Sequence, residues 1–587
     1  MPLPFDTARA RRAAVCTAAV AVAAVACGED PVMPGSNLAG RAGTPPTVGS
    51  FVRLNAYTDA PCDTVRSGFR GGRVVAVSAR AIIVADTLNP VGGFTSAEYA
   101  SFATSFDTLA YPVDVRNFGE PTDLDENGRV VIFFTTAVNA LTPRSADYVV
   151  GGFFWNRDLF PKTAARPQEA CPGSNDGELF YMLAPDPAGT VNGNARSKEY
   201  VARTSVAVLG HEFQHLINAS RRLYVLNTQR FDEEVWLNEG LSHAAEELMF
   251  FQASGLAPRR NLTLPAVRST AGGITALNAY NVQNLARLSD YLGAPEANAP
   301  YTNNDSLATR GATWSFLRYA ADRAVAAGAP NDSALYYRLV NSTRTGLPNL
   351  QAALAGASGG TVALPDWFRD WAVAAYADDL VTGLDARFTQ PSWNFRDALA
   401  GLSSNGNSYP LATRVLADGQ AQTVTLAAGG SAYLRLSVPT GGQATVTIGG
   451  AGGGAPPALV RASLVGGSGT AAVRTLDPGT SSVTAPGGVG VATPYALVLF
   501  NADTVRSARS SVTVTATGIG ATALASRAPA AGPTLARLAA AATSDGLPVS
   551  DVQLHARLRA IGYPVLAGRV AAARAEYAAR RAGAARQ

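Results

Sequence analysis

Histidine and lysine are almost missing from this chain. Its 587 residues include four histidines, His211, His215, His243 and His555, and the only lysines are Lys162 and Lys198. A formal net charge of +4, spread along the sequence, excludes the concentrated basic surface that nucleic acid requires. No stretch repeats at a solenoid period. The apolar run from Ala13 to Ala26 is too short to cross a bilayer as a permanent helix. Nearly half the residues are apolar and about a sixth are charged, which is a globular balance rather than a disordered one. The chain is also too long for one hydrophobic core, so two to four domains are expected.

Arg9, Arg11 and Arg12 precede that apolar run, which ends at Cys27-Gly28-Glu29-Asp30. A basic segment, a short apolar segment and small residues before a break describe a secretory signal over 1–26. Ala24-Val25-Ala26-Cys27 resembles a bacterial lipobox, which makes Cys27 the lipidated first residue of an envelope lipoprotein. The other reading is a soluble-secretion signal cleaved at or shortly after Ala26. Either way the mature chain is exported. With Cys16 and Cys27 set aside, Cys62 and Cys171 remain, and an even pair in an oxidising compartment predicts a disulfide, against the alternative of two buried thiols.

The composition divides the rest. Residues 27–50, rich in Gly and Pro, read as a linker. Residues 51–190 mix strand-like runs (Arg73–Val77, Ala81–Val84, Val130–Thr135, Tyr148–Phe154, Glu178–Leu183) with a helical stretch near Ser96–Ala110. Long helical patterns fill 191–405. Residues 411–520 turn to Gly, Thr, Val and Ser, with about seven short alternating runs that predict a β-sandwich. Residues 530–587 form an Ala- and Arg-rich helical tail.

The scarce histidines carry the chemistry. His211-Glu212-Phe213-Gln214-His215 lies in a helical pattern, so the two imidazoles project from one face four residues apart and can share a metal. Glu212 sits one position round, where a carboxylate can act as general base on water. Chance produces such a run on the order of once in a thousand chains this poor in histidine. A catalytic zinc needs a third protein ligand. The metzincin pattern would place it at position 221, which is Arg221. A second helical pattern holds Asn238-Glu239-Gly240, with His243 and Glu246 on the face of Glu239. Asp232, Glu233 and Glu234 also lie close enough in sequence to compete.

Here the residues resemble the gluzincin metallopeptidases, in which a Glu in an Asn-Glu-Gly-like context closes the zinc site. The resemblance implies His211, His215 and Glu239 as Zn2+ ligands and Glu212 as catalytic base, with His243 or Glu246 orienting a ligand imidazole. The spacer from Leu216 to Asn238 is longer than is usual in that group. The joined block HEFQHLIN…EEVWLNEGLSHAAEE is more closely similar to the hyicolysin family of bacterial extracellular metallopeptidases. Supporting segments are Asp123–Gly128, Gly177–Tyr181, Arg310–Tyr319 and Trp367–Trp371, so the likeness covers roughly 55–390. It implies a thermolysin-like two-lobed zincin over that span, so that with the all-β sandwich and the helical tail read from composition the expectation is a multidomain α+β protein. It also implies a protein or peptide substrate. The Gly-Ala-Met-Glu-Asn motif of the aminopeptidases is absent, which points to cleavage inside chains. The rivals are a surface-binding lipoprotein with a structural zinc, and a zinc exopeptidase.

Weaker signals remain. Asp123, Asp125 and Asn127 before Gly128 match the opening of a Ca2+ loop, but an Asn-Gly hairpin turn is preferred, because position 134 is Phe rather than Glu. Tyr301, Arg310 and Tyr319 are guesses for an oxyanion partner. His555, in the tail, reads as structural. Arg569, Arg574, Arg580, Arg581 and Arg586 read as a solvated helix face, or as a contact for anionic envelope surfaces.

Overall fold

The computed structural model describes residues 43–520, apart from 63–67, 145, 303 and 403–407, together with residues 554–584. The signal over 1–26, Cys27 and most of the linker therefore lie outside the described residues. No helix among the described residues is long and apolar enough to cross a membrane.

The first part is a six-stranded sheet: β1 (Phe51–Asn55), β2 (Phe69–Val77), β3 (Ala81–Asp86), β4 (Val130–Phe134), β5 (Gly152–Phe154) and β6 (Leu179–Met182). Their order is β1-β2-β3-β4-β6-β5, with β3, β4 and β6 parallel and the remaining pairs antiparallel. Both faces are covered, so β4 reads as the unbroken apolar run Val-Val-Ile-Phe-Phe. Strand alternation separates the faces. Ile83, Ile132 and Phe134 join the main core, whereas Ile82, Val131 and Phe133 join a second one.

Helices α1 (Ser96–Ser105) and α2 (Tyr111–Phe118), joined by one π-helical turn, carry the chain from β3 across to β4. Thr95 and Glu98 cap the first reciprocally, so its start is set by local hydrogen bonds. Because β3 and β4 are parallel, the Asn127-Gly128 segment is not the hairpin turn expected from sequence.

Four long helices then dominate: α3 (Lys198–Ser220), α4 (Val235–Ser254), α5 (Val282–Gly293) and α6 (Leu307–Ala326). Ser197 caps α3 by accepting from the Tyr200 amide, and Gly255, in the left-handed conformation at φ 70°, ends α4. Gly240 lets α4 approach α6, since a Cβ there would sit 2.3 Å from Thr313 Cγ2.

Past α7 (Leu364–Ala377) come strands β7 (Arg414–Val415), β8 (Ala421–Ala427), β9 (Ser431–Val438), β10 (Gln443–Gly450), β11 (Val460–Gly466), β12 (Val473–Thr475), β13 (Ser482–Pro486), β14 (Thr493–Asn501) and β15 (Arg509–Thr517). They form two sheets, ordered β13-β10-β15-β8 and β12-β11-β14-β9-β7, over a shared apolar core. The sheets are antiparallel except where β7 joins β9. This sandwich docks on the helices. Phe500 stacks on Phe368, the Tyr433 hydroxyl donates to Ala372 O, and Arg414 forms a bidentate pair with Glu296.

Two further helices, α8 (Leu554–Ala567) and α9 (Val570–Ala584), return to the first sheet, where Leu554 and Leu558 complete its second core. The disulfide Cys62–Cys171 ties the segment after β1 to the loop before β6.

Candidate metal centre

The site forms where α3 and α4 cross beneath the edge strand β5. Gly152 permits that approach, because a Cβ there would sit 2.7 Å from both Tyr181 O and Val208 Cγ1. His211 and His215 rise from α3 with ring centroids 4.9 Å apart. Glu239, in the first turns of α4 and fully buried, points back at both. Its Oε2 lies 3.5 Å from His211 Nε2 and its Oε1 lies 3.6 Å from His215 Nε2. Three donors around one zinc at bonds of about 2.1 Å should be about 3.4 Å apart, so these separations fit the metal. His211 Nε2 is buried and makes no hydrogen bond, which also suits a ligand atom.

The competing acids are engaged elsewhere. Asp232 pairs with Arg559 at 2.6 Å. Glu233 accepts from Arg222, the Gly346 amide and Asn349. Glu234 accepts from the Trp236 indole and pairs with Arg506. The long spacer is taken up by the end of α3, a π-helical turn at Arg221–Val225 and the loop leading to Glu234.

Supporting groups set the ligand geometry. Glu246 Oε1 is 2.8 Å from His211 Nδ1 and 3.3 Å from His243 Nδ1. Glu246 thus holds the far nitrogen of a ligand candidate, while His243 braces Glu246. Ser242, which sequence reasoning passed over, donates to Gln214 Oε1 and stands 3.1 Å from His215 Nδ1. Arg310 Nη1 is 2.9 Å from Glu239 Oε2. Arg310 therefore reaches the site, on the carboxylate of Glu239. Tyr301 and Tyr319 do not, because their hydroxyls donate to Asp503 O and Arg387 O.

His555 corrects the sequence reading most sharply. Its Nδ1 is 2.7 Å from Glu239 Oε1, its Nε2 is 3.5 Å from Glu212 Oε2, and its ring centroid is 4.2 Å from that of His215. His211, His215, Glu239 and His555 each bring one donor atom into a group no wider than 4.8 Å, and all four are buried. Only the scarcity of histidine in the sequence could have hinted at this.

Electrostatics follow from burial and crowding. Burial opposes a charged His211, but the carboxylates of Glu239 and Glu246 outweigh it and lift the imidazole to about 10. Burial likewise opposes ionisation of Glu239, yet Arg310, His555 and His215 hold its carboxyl well below the usual range. Burial, reinforced by Arg287, pushes His243 down to about 4.

A second acidic group lies apart from this site. Asp123, Asp125 and Glu178 bring carboxylate oxygens within 4.8 Å of one another. Asn127, expected among the oxygen donors, instead donates its side-chain amide to Asp125 at 2.6 Å. Burial and then Asp123 raise Asp125 to about 7.

No known family's sequence profile matches the chain. The chain is 30% identical over 155 residues to the neutral metalloprotease ShpI of Staphylococcus hyicus, a match covering 26% of this chain and 31% of that protein. The chain thus spans about a third of the length of the curated relative it matches. Among solved structures, the pre-peptidase C-terminal domain of a Bacillus anthracis collagenase aligns with 18% of this chain and 94% of its own, at 10% identity and a TM-score of 0.14. PliG of Aeromonas hydrophila, a periplasmic inhibitor of g-type lysozyme, aligns with 18% of this chain and all of its own, at 13% identity and the same TM-score. At these scores neither likeness bears on fold or function. The match to ShpI, together with the buried His/Glu cluster, relates this chain to the metallopeptidases.

Proposed function

We propose that the protein is an exported zinc endopeptidase of the gluzincin type, closest to the hyicolysin family. The carrying observation is the meeting of His211, His215 and Glu239 around one point, with Glu212 beside them beneath an edge strand. Zinc held there supplies a Lewis acid for the scissile carbonyl and lowers the pKa of a water. Glu212 accepts the proton of the attacking water and returns it to the departing amine. Glu246 and Ser242 orient the two imidazoles, and Arg310 keeps Glu239 ionised. The edge of β5 offers backbone groups with which an extended peptide can pair, and this suits cleavage within chains.

In this reading 51–190 and 191–405 are the two lobes of a thermolysin-like unit, 411–520 is an accessory sandwich, and 530–587 is the tail. The disulfide suits an oxidising compartment, and Cys27 anchors the chain to the envelope through lipid. Ca2+, the second cofactor considered, has its oxygen donors at Asp123, Asp125 and Glu178.

Zinc content and hydrolysis of casein and short aminoacyl substrates, with and without chelator, test the proposal. Glu212→Gln should bind zinc and turn over neither substrate class. A structural zinc site, the rival reading, requires bound zinc with no turnover by the parent or by a variant with a loosened C-terminal helix, Leu558→Glu. Preference for the aminoacyl substrates would favour the exopeptidase. Mass spectrometry of the mature N-terminus reports the lipid.

A further inference from the structure

Helix α8 is not a solvated tail. Leu554, Leu558 and Leu566 are buried, Tyr563 stacks on Phe231, and Arg559 pairs with Asp232 immediately before α4. Helix α9 secures it from behind: Arg574 donates to Leu223 O and Thr228 O, and Arg580 pairs with Asp176. Arg569, between the two helices, donates to Ala170 O. Arg569, Arg574 and Arg580, which sequence suggested would face solvent or an envelope surface, hold the tail to the protein itself, whereas Arg581 is exposed and Arg586 lies outside the described residues.

What α8 covers is the approach to the metal centre. Phe154, Trp155, His215 and Asn238 line one side of a cavity, and His555, Leu558 and Gly562 line the other. That cavity is about 40 Å³, room for a few waters and not for a peptide. Glu212 is 2% exposed and His211 is 5% exposed. A catalytic zinc keeps one position open for water or substrate, whereas four protein ligands make a closed site. His555 is where a fourth ligand would come from, with its 2.7 Å hydrogen bond to Glu239 opening to the spacing of about 3.4 Å that two donors on one zinc require.

We propose that α8 is a resident occupant of the substrate cleft and that His555 is a fourth protein ligand to the metal, so that the chain as folded is a latent form of the enzyme. This rests on the peptidase reading of the same site. Helix and metal reinforce each other: the apolar face of α8 brings His555 into place, and ligation adds to the helix docking. Peptide hydrolysis requires both contacts to open.

The test uses the full-length, zinc-loaded protein and two variants. His555→Ala removes the ligand, and Leu558→Glu loosens the helix one turn away by placing a carboxylate in its apolar contact with the first sheet. Both should raise kcat/KM on casein about tenfold or more, because the rate scales with the fraction of molecules whose cleft is open. In cobalt-substituted protein His555→Ala should weaken and shift the visible absorption, as an all-protein tetrahedral shell becomes one with solvent. Zinc should also leave it faster. The proposal is overturned if His555→Ala leaves the cobalt spectrum and the casein rate as in the parent. A fall in rate for His555→Ala also overturns it, since His555 would then be a catalytic group. Absence of turnover from every form, with the cobalt spectrum still altered by His555→Ala, removes the peptidase reading while supporting the ligand.

Discussion

His555 Nδ1 lies 2.7 Å from Glu239 Oε1, although 316 positions separate the two residues. That contact brings the last histidine of the chain to the other three. Ring centroids of His211 and His243 are 4.8 Å apart, and those of His215 and His555 are 4.2 Å apart. Every histidine of the protein is therefore within one cluster. With none elsewhere, substitutions at these positions can be read against a quiet background.

Glu212→Gln keeps the size of the side chain but removes the carboxylate proposed as the base. Zinc content should be unchanged while casein turnover falls by roughly 10²–10⁴-fold. His211→Ala or His215→Ala should lose both metal and turnover. Metal analysis beside the assay separates the two kinds of variant.

Glu246→Ala leaves His211 Nδ1 without its carboxylate partner. Zinc affinity should fall by roughly 10–100-fold, as measured by competition with a chromogenic chelator. His243→Ala should cost less, because His243 braces Glu246 and not the ligand imidazoles. Equal losses from both variants would contradict this division.

The metal-free protein carries a pH signature. His211 has an ordinary value of 6.5 and is raised to about 10 by its carboxylate neighbours. Its contribution to stability is present in full below about 6.5 and is lost as pH rises through about 10. If His211 is a ligand, as proposed, zinc must displace that proton, so affinity should climb about tenfold per pH unit between those values. Isothermal titration across pH 7–9 in buffers of different ionisation enthalpy would count the released proton.

Reducing the disulfide, or replacing it with Cys62→Ser and Cys171→Ser, opens a crosslink across 109 positions. The loss should be about 2–5 kcal/mol, seen as a lower midpoint in chemical denaturation. Zinc affinity should hardly change, since neither cysteine touches the cluster.

Much of this protein was legible one segment at a time. The runs Gln422–Ala427 and Ala432–Val438 alternate polar with apolar residues, Tyr495–Phe500 is an unbroken apolar run, and each lies in a strand of the sandwich. Helices α3 and α4 likewise show in their own spacing. The short strand β1 escaped, and so did the direction of β4, because parallel or antiparallel pairing depends on a crossover outside the strand. The acidic group was partly legible. Asp123 and Asp125 are neighbours in sequence, but Glu178 joins them from the residue just before β6.

The sequence by itself determined the pairing of His211 with His215 and the place of Glu212 beside them, because one turn of helix sets those positions with no help from the rest of the chain. Only the tertiary structure decided which acid faces them and that a tail histidine joins them. Glu239 faces both imidazoles from the first turns of α4, whereas Asp232, Glu233 and Glu234, in the loop before it, pair with Arg559, Arg222 and Arg506. His555 reached the site because Leu554 and Leu558 bury themselves in the second core of the first sheet. Hydrophobic burial across hundreds of residues leaves no local period in the sequence, and so could not be read from it.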